Sequence, residues 1–185
     1  ITSVEFLIGK TSLAVGDSLG RVRIWFRIKP QDATTSDGSM LVMTRELASA
    51  DSRVNSLSAS SRTRMLAAAY QDGSVRLFHA TSGEMLVNDT SLKHPLSIVS
   101  ISPKDDALYG AGDGKLFRWN LSLGYPAVSV KTIFSPVWYE GYQAPAHVWQ
   151  SSSGTDDFEE KYGLMPLIFG TIKATFYSML FGVPL

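Results

Sequence analysis

The sequence predicts a mainly β protein of repeated four-stranded units, followed by the start of a transmembrane α-helix. Two observations carry that expectation. Three stretches repeat a small-residue strand, an Asp/Gly turn and a second strand that ends on an aromatic residue. The last 23 of the 185 residues, Gly163 to Leu185, hold a single charge, Lys173.

In the first unit Leu13-Ala14-Val15-Gly16-Asp17 runs through a short turn to Gly20 and then Arg21-Val22-Arg23-Ile24-Trp25. In the second, Leu66 to Asp72 meets Gly73 and then Ser74-Val75-Arg76-Leu77-Phe78. In the third, Leu108 to Asp113 meets Gly114 and then Lys115-Leu116-Phe117-Arg118-Trp119. Asp-Gly supplies the positive φ angles of a tight hairpin turn. Val22 and Ile24, like Val75 and Leu77, alternate with polar neighbours, the period-two pattern of a strand with one buried face. The third unit departs, because Phe117 and Arg118 stand where polar and apolar residues are expected.

An apolar strand precedes each hairpin, at Val4–Ile8, Val54–Ala59 and Ile98–Ser102, and a fourth strand follows it, at Leu41–Leu47, Glu84–Val87 and Val128–Ile133. Asp72 and Asp113 are 41 residues apart. Four strands at that period describe a β-propeller blade. Asp17 and Asp72 are 55 apart, and the polar stretch Lys29 to Ser39 accounts for the excess as a longer loop. The Gly-x-Val-Arg-Ile/Leu-aromatic pattern at Gly20–Trp25 and Gly73–Phe78 resembles the third strand of WD-repeat blades. The Trp-Asp dipeptide of that family is missing, since Phe26 follows Trp25 and Asn120 follows Trp119. The expected organisation is about three WD-like blades over 1–134 (about 1–50, 51–92 and 93–134), a connector over 135–162, and a membrane segment over 163–185. A β-sandwich is the competing arrangement; repetition of whole four-strand units argues against it.

Propellers close typically with about 4–8 blades. Three cannot close that ring, so either more blades precede Ile1, the preferred reading, or copies of the chain associate to complete the circle. Lys+Arg and Asp+Glu balance at 17 each, which leaves no global field or basic patch for nucleic acid. Cysteine is absent, removing disulfides and thiolate metal sites. His79, His94 and His147 are scattered, the acid pairs Asp105-Asp106 and Asp156-Asp157 lie in turn-like or linker sequence, and no nucleophile elbow is present. The chain is therefore read as a non-enzyme with no catalytic, metal-binding or cofactor-binding residue.

The connector Ser135–Gln150 is rich in aromatics. Trp138, Tyr139, Tyr142 and Trp149 suit either a membrane–water interface or packing on the last blade. The hydroxyls and glycine of Ser151 to Thr155 could cradle a phosphate, but the acids after them fit a helix-start capping pair, Asp156 and Glu159, better. Val148 to Lys161, followed by Leu164 to Thr171, resembles a phosphate ABC transporter permease at the entry to its transporter core. The match continues in Tyr162-Gly163-Leu164-Met165-Pro166, Gly170-Thr171 and Val183-Pro184.

That resemblance implies an inner-membrane permease subunit importing inorganic phosphate, with the propeller as an accessory periplasmic interaction or regulatory domain. Its implied partners are a second permease subunit, a cytoplasmic ATPase subunit and a periplasmic phosphate-binding protein. Lys173 is then either a pathway-side charge that attracts phosphate or a lysine near a helix end. A lysine at mid-bilayer costs about 2.5–3.5 kcal/mol. The alternative function is a soluble WD-like propeller acting as a protein-interaction scaffold, with the apolar tail as a docking or core helix.

Overall fold

The structure, a computed structural model, describes residues 1–30, 33–150 and 159–182. Eleven strands form three antiparallel sheets. The first holds β1 (Ser3–Phe6), β2 (Ser12–Gly16), β3 (Val22–Ile28) and β4 (Met40–Glu46), paired in that order. The second holds β5 (Val54–Ala59), β6 (Met65–Tyr70), β7 (Val75–His79) and β8 (Met85–Asp89) in the same order. The third has β9 (Ile98–Ile101), β10 (Ala107–Gly112) and β11 (Lys115–Asn120). These meander sheets are consistent with WD-like blades.

The first strands of the three sheets lie side by side, β1 against β5 and β5 against β9. Serine hydroxyls bridge them. Leu57 N–H donates to Ser3 Oγ at 3.1 Å, and the N–H groups of Val99 and Ile101 donate to Ser56 and Ser58, each at 3.2 Å. Period-two burial then makes two layers of core. Ala14, Val22, Ile24 and Phe26 of the first sheet pack against Leu66, Ala68, Tyr70 and Phe78 of the second. Ala67, Ala69, Val75 and Leu77 on the second sheet's other face pack against Val99, Ile101 and Leu108 of the third. Every residue of β6 is buried, because both its faces are covered.

The hairpin turns depart from the sequence expectation in an informative way. Only the third is a two-residue turn with positive φ at both positions, Asp113 at 51° and Gly114 at 72°, flanked by the pair Gly112 and Lys115. That is the type I′ geometry whose twist matches its strands. In the first two hairpins a three-residue loop ends on a single left-handed glycine, Gly20 or Gly73. Asp17 and Asp72 serve there as side-chain acceptors: Asp17 Oδ1 takes the Arg21 N–H at 3.1 Å, and Asp72 Oδ1 takes the Ser74 N–H at 2.9 Å.

Two expected elements are corrected. Val128–Ile133 is not a fourth strand of the third sheet; α1 (Val130–Phe134) stands there. Ser129 and Thr132 form a capping box, in which the Thr132 N–H donates to Ser129 Oγ at 3.2 Å and the Ser129 N–H to Thr132 Oγ1 at 2.8 Å. That reciprocal cap satisfies two helix-terminal donors and starts a turn of helix in a β-branched stretch. Among the described residues the third sheet therefore has three strands.

The second correction concerns the tail. The helix α2 (Met165–Gly182) has 18 residues, and among the described residues no helix is long and apolar enough to cross a membrane. Pro166, Thr171, Lys173, Thr175 and Ser178 dilute the apolar content of α2. No residue of α2 is buried. Val183-Pro184 lies outside the described residues.

Candidate functional site

The connector folds back onto the ends of the first two sheets around a buried guanidinium. Arg64, just before β6, is 2% exposed. Its Nη1 donates to Glu140 Oε2 at 2.8 Å and its Nη2 to Ser12 Oγ at 3.2 Å, while its Nε lies 3.4 Å from Glu159 Oε1. Hydroxyls complete the two carboxylates: Thr11 and Ser12 donate to Glu140, and Thr81 donates to Glu159. The guanidinium also sits 5.6 Å from the centroid of the Phe26 ring. A buried arginine is tolerated because two carboxylates match its charge and Glu140 and Ser12 accept from its two Nη groups.

The rest of the connector builds on this latch. The strands β12 (Trp149–Gln150) and β13 (Lys161–Tyr162) form a short ladder. Lys161, 1% exposed, donates from Nζ to Gln150 Oε1 at 2.9 Å and lies 5.7 Å from the ring centroids of both Tyr139 and Tyr142. Tyr139 is buried, and Trp138 packs against the core between the first two sheets. Trp138 therefore packs on the core between the first two sheets, while Tyr139 and Tyr142 pack on each other and on Lys161 within the connector. The phosphate cradle considered at Ser151–Thr155 and the acid Asp156 of the capping pair lie outside the described residues; its partner Glu159 accepts from Thr81 instead.

Burial pushes the Glu159 carboxyl above its ordinary range, with Arg64 and Thr81 opposing. Burial, reinforced by Arg64 and then Arg45, pushes His79 down to about 4. Its Nδ1 accepts the Ser82 N–H at 3.2 Å, so the ring is held neutral. The sign follows directly. Between about pH 6.5 and 4 the unfolded chain binds the His79 proton and the folded chain does not, so this stabilisation is lost as pH falls through that window. A His79→Asn variant, which can keep an acceptor for Ser82, should show a shallower loss of stability on acidification. The divergence from wild type between pH 7 and pH 4 should be about 3 kcal/mol by urea unfolding at each pH.

The other ionisable residues singled out in the sequence are not brought together. His94 is exposed, 3.7 Å from Asp113, and His147 is exposed. Asp105 accepts from the Ser60 and Thr63 hydroxyls, and Asp106 from Ser102. Asp157 lies outside the described residues. Among the described residues no three His, Asp or Glu side chains are grouped to hold a metal ion. Lys173 is exposed on α2, with Nζ 5.9 Å from the Tyr177 ring centroid.

The surface that sequence reasoning missed is the outer face of the first sheet. Cross-strand pairing puts Phe6, Leu13, Trp25 and Met43 in one row, Val4 and Val15 in the next, and Leu41 beside Arg27. Val4, Phe6, Leu41 and Met43 are 44–57% exposed. Leu13 and Trp25 occupy the places that Leu66 and Phe78 hold in the second sheet. There the first sheet covers the face completely, and Leu66 and Phe78 are both 0% exposed. The first sheet thus repeats a docking face that no described residue covers. The signal was present in Leu13, Val15 and Trp25, which alternate with the covered set.

Comparison with known proteins agrees with the sheet pattern. A family profile described as the anaphase-promoting complex subunit 4 WD40 domain matches residues 14–102. A WD repeat-containing protein 91 homolog from Dictyostelium discoideum is 32% identical over 83 residues, which are 44% of this chain and 11% of that protein. The chain thus spans about a tenth of that relative's length. These matches, with no described helix both long and apolar enough to cross a membrane, overturn the permease resemblance. Phosphate import, an inner-membrane location with a periplasmic propeller, and the three transporter partners (second permease subunit, ATPase subunit and phosphate-binding protein) are corrected with it. The role expected for Lys173 rested on that resemblance alone. What the matches support is a chain similar to WD-repeat proteins.

Proposed function

We propose that this chain is a run of WD-like propeller blades that acts as a protein-interaction scaffold without catalytic activity. The observation that carries the reading is the apolar face of the first sheet, which no described residue covers and whose equivalents in the second sheet are buried. A row of Phe6, Leu13, Trp25 and Met43 is shaped by the repeat itself to receive another sheet-like surface. Contiguous exposed apolar surface of this kind marks interaction sites. Similarity to WD-repeat proteins supports the same class of function.

The test places a photo-crosslinking amino acid at Phe6 in the whole protein, with a control at the exposed Lys10. The reading expects an adduct from Phe6 to a second polypeptide, mapped by mass spectrometry to one discrete surface and absent from the control. Trp25→Glu should reduce that adduct at least about fivefold while leaving the circular dichroism unchanged. An adduct confined to the same polypeptide, or yields equal to the control, would overturn the reading.

A further inference from the structure

A second incomplete surface lies at the far edge of the third sheet. In the first two sheets a fourth strand pairs antiparallel with the third: β4 with β3, and β8 with β7. Both pairings carry a bulge at the same place in the repeat, between Ile24 and Trp25 and between Leu77 and Phe78. Among the described residues the third sheet stops at β11. Its hairpin pairs Gly112 with Lys115 across a two-residue turn, and the Leu121 N–H donates to Asp106 O at 2.8 Å. By the alternation of an antiparallel ladder, Lys115, Phe117 and Trp119 direct their backbone groups to β10. The groups of Leu116, Arg118 and Asn120 point to the open edge, and among the described residues no backbone hydrogen bond reaches them.

We propose that β11 accepts an extended acidic–aliphatic strand from a partner protein, completing the third sheet in the position that β4 and β8 fill in the other two. The repeat supplies the register. Met43 stands opposite Trp25, and Met85 opposite Phe78, so an unbranched aliphatic residue belongs opposite Trp119. The Trp119 indole is already fixed, donating from Nε1 to Asp89 Oδ2 at 2.5 Å. Leu86 and Leu123, members of the same apolar cluster as Trp119, also line a cleft of about 360 Å³. Charge selects the strand: Lys115 and Arg118 are the ionisable residues of β11, and both are exposed. Cations on an open edge oppose pairing with basic or neutral strands, and a carboxylate opposite Arg118 removes that barrier. Main-chain hydrogen bonds then supply affinity, and the side-chain positions supply selection.

This inference shares the scaffold reading's purpose but uses a different surface, so failure at β11 leaves the Phe6 test standing. The probe is a blocked hexapeptide with the sequence of Glu84–Asp89, altered by Val87→Glu so that a carboxylate faces Arg118. With millimolar peptide, amide exchange should slow at least tenfold at Leu116, Arg118 and Asn120, while Phe117 and Trp119 are little changed. Arg118→Glu, at an exposed position, should weaken this peptide about fivefold and favour one bearing lysine instead. Unchanged exchange at the three edge amides, protection mapping elsewhere, or binding indifferent to Arg118→Glu would each overturn the proposal.

Discussion

Replacing Arg64 by alanine is expected to lower stability by about 3–5 kcal/mol, read as a reduced free energy of urea unfolding. The change removes the positive partner of two carboxylates, Glu140 and Glu159, the second of which is only 8% exposed. It also removes the hydrogen bond to Ser12 and the contact over the Phe26 ring. An uncompensated buried charge is the main cost, so neutralising the acid should recover part of the loss. Arg64→Met combined with Glu159→Gln is therefore expected to be clearly more stable than Arg64→Met alone. Because Arg64 joins the second sheet to the connector, amide exchange at Val137 and Gly163 should rise in the single variant. Their backbone bonds, to Ala146 O and Val148 O, hold the connector's fold.

Gly20→Ala is expected to cost about 3 kcal/mol or more, against about 1 kcal/mol for Gly114→Ala. Both glycines have positive φ, 79° and 72°, so both substitutions force an alanine into the left-handed region. They differ in what the new methyl group meets. At Gly20 it would lie 1.9 Å from the Ala50 carbonyl oxygen and 2.5 Å from that of Ser52, whereas at Gly114 nothing lies within 4 Å. The chain leaving the first sheet crosses over its hairpin turn, with the Ala50 N–H donating to Gly20 O at 3.1 Å. A backbone cannot yield as a side chain can. Thermal denaturation of the two variants side by side separates the conformational cost from the steric one.

The strands were legible in the sequence because alternation and turn residues agree. Val22, Ile24, Val75 and Leu77 lie on covered faces, as their spacing implies. Phe117 and Arg118 looked anomalous only while both faces of the third unit were taken as equivalent. Phe117 faces the second sheet and packs in its core, whereas Arg118 is on the uncovered side, over Tyr109. Val128–Ile133 read as a strand from its β-branched residues, but the Ser129–Thr132 cap decided otherwise. The apolar tail invited a membrane reading by composition, but Pro166, Lys173 and the hydroxyl residues leave the described helix short of the apolar content a span needs. The Arg64 latch was not legible: Arg64 and Glu140 are 76 residues apart, and no periodicity ties them together. Connector aromatics gave no direction either, since an interfacial ring and a packed ring have the same composition.

The complete burial of β6 has a consequence for how the molecule comes apart. A sheet with no free face draws its stability from its neighbours, while the first and third sheets each lean on it from one side. Opening should therefore proceed from the flanks inward, with β11 and β1 exchanging their amides through partial unfolding and β6 only through global unfolding. Occupancy of either flank by a partner would then slow exchange throughout the row, because mass action on an end unit is transmitted through the sheet that both ends share.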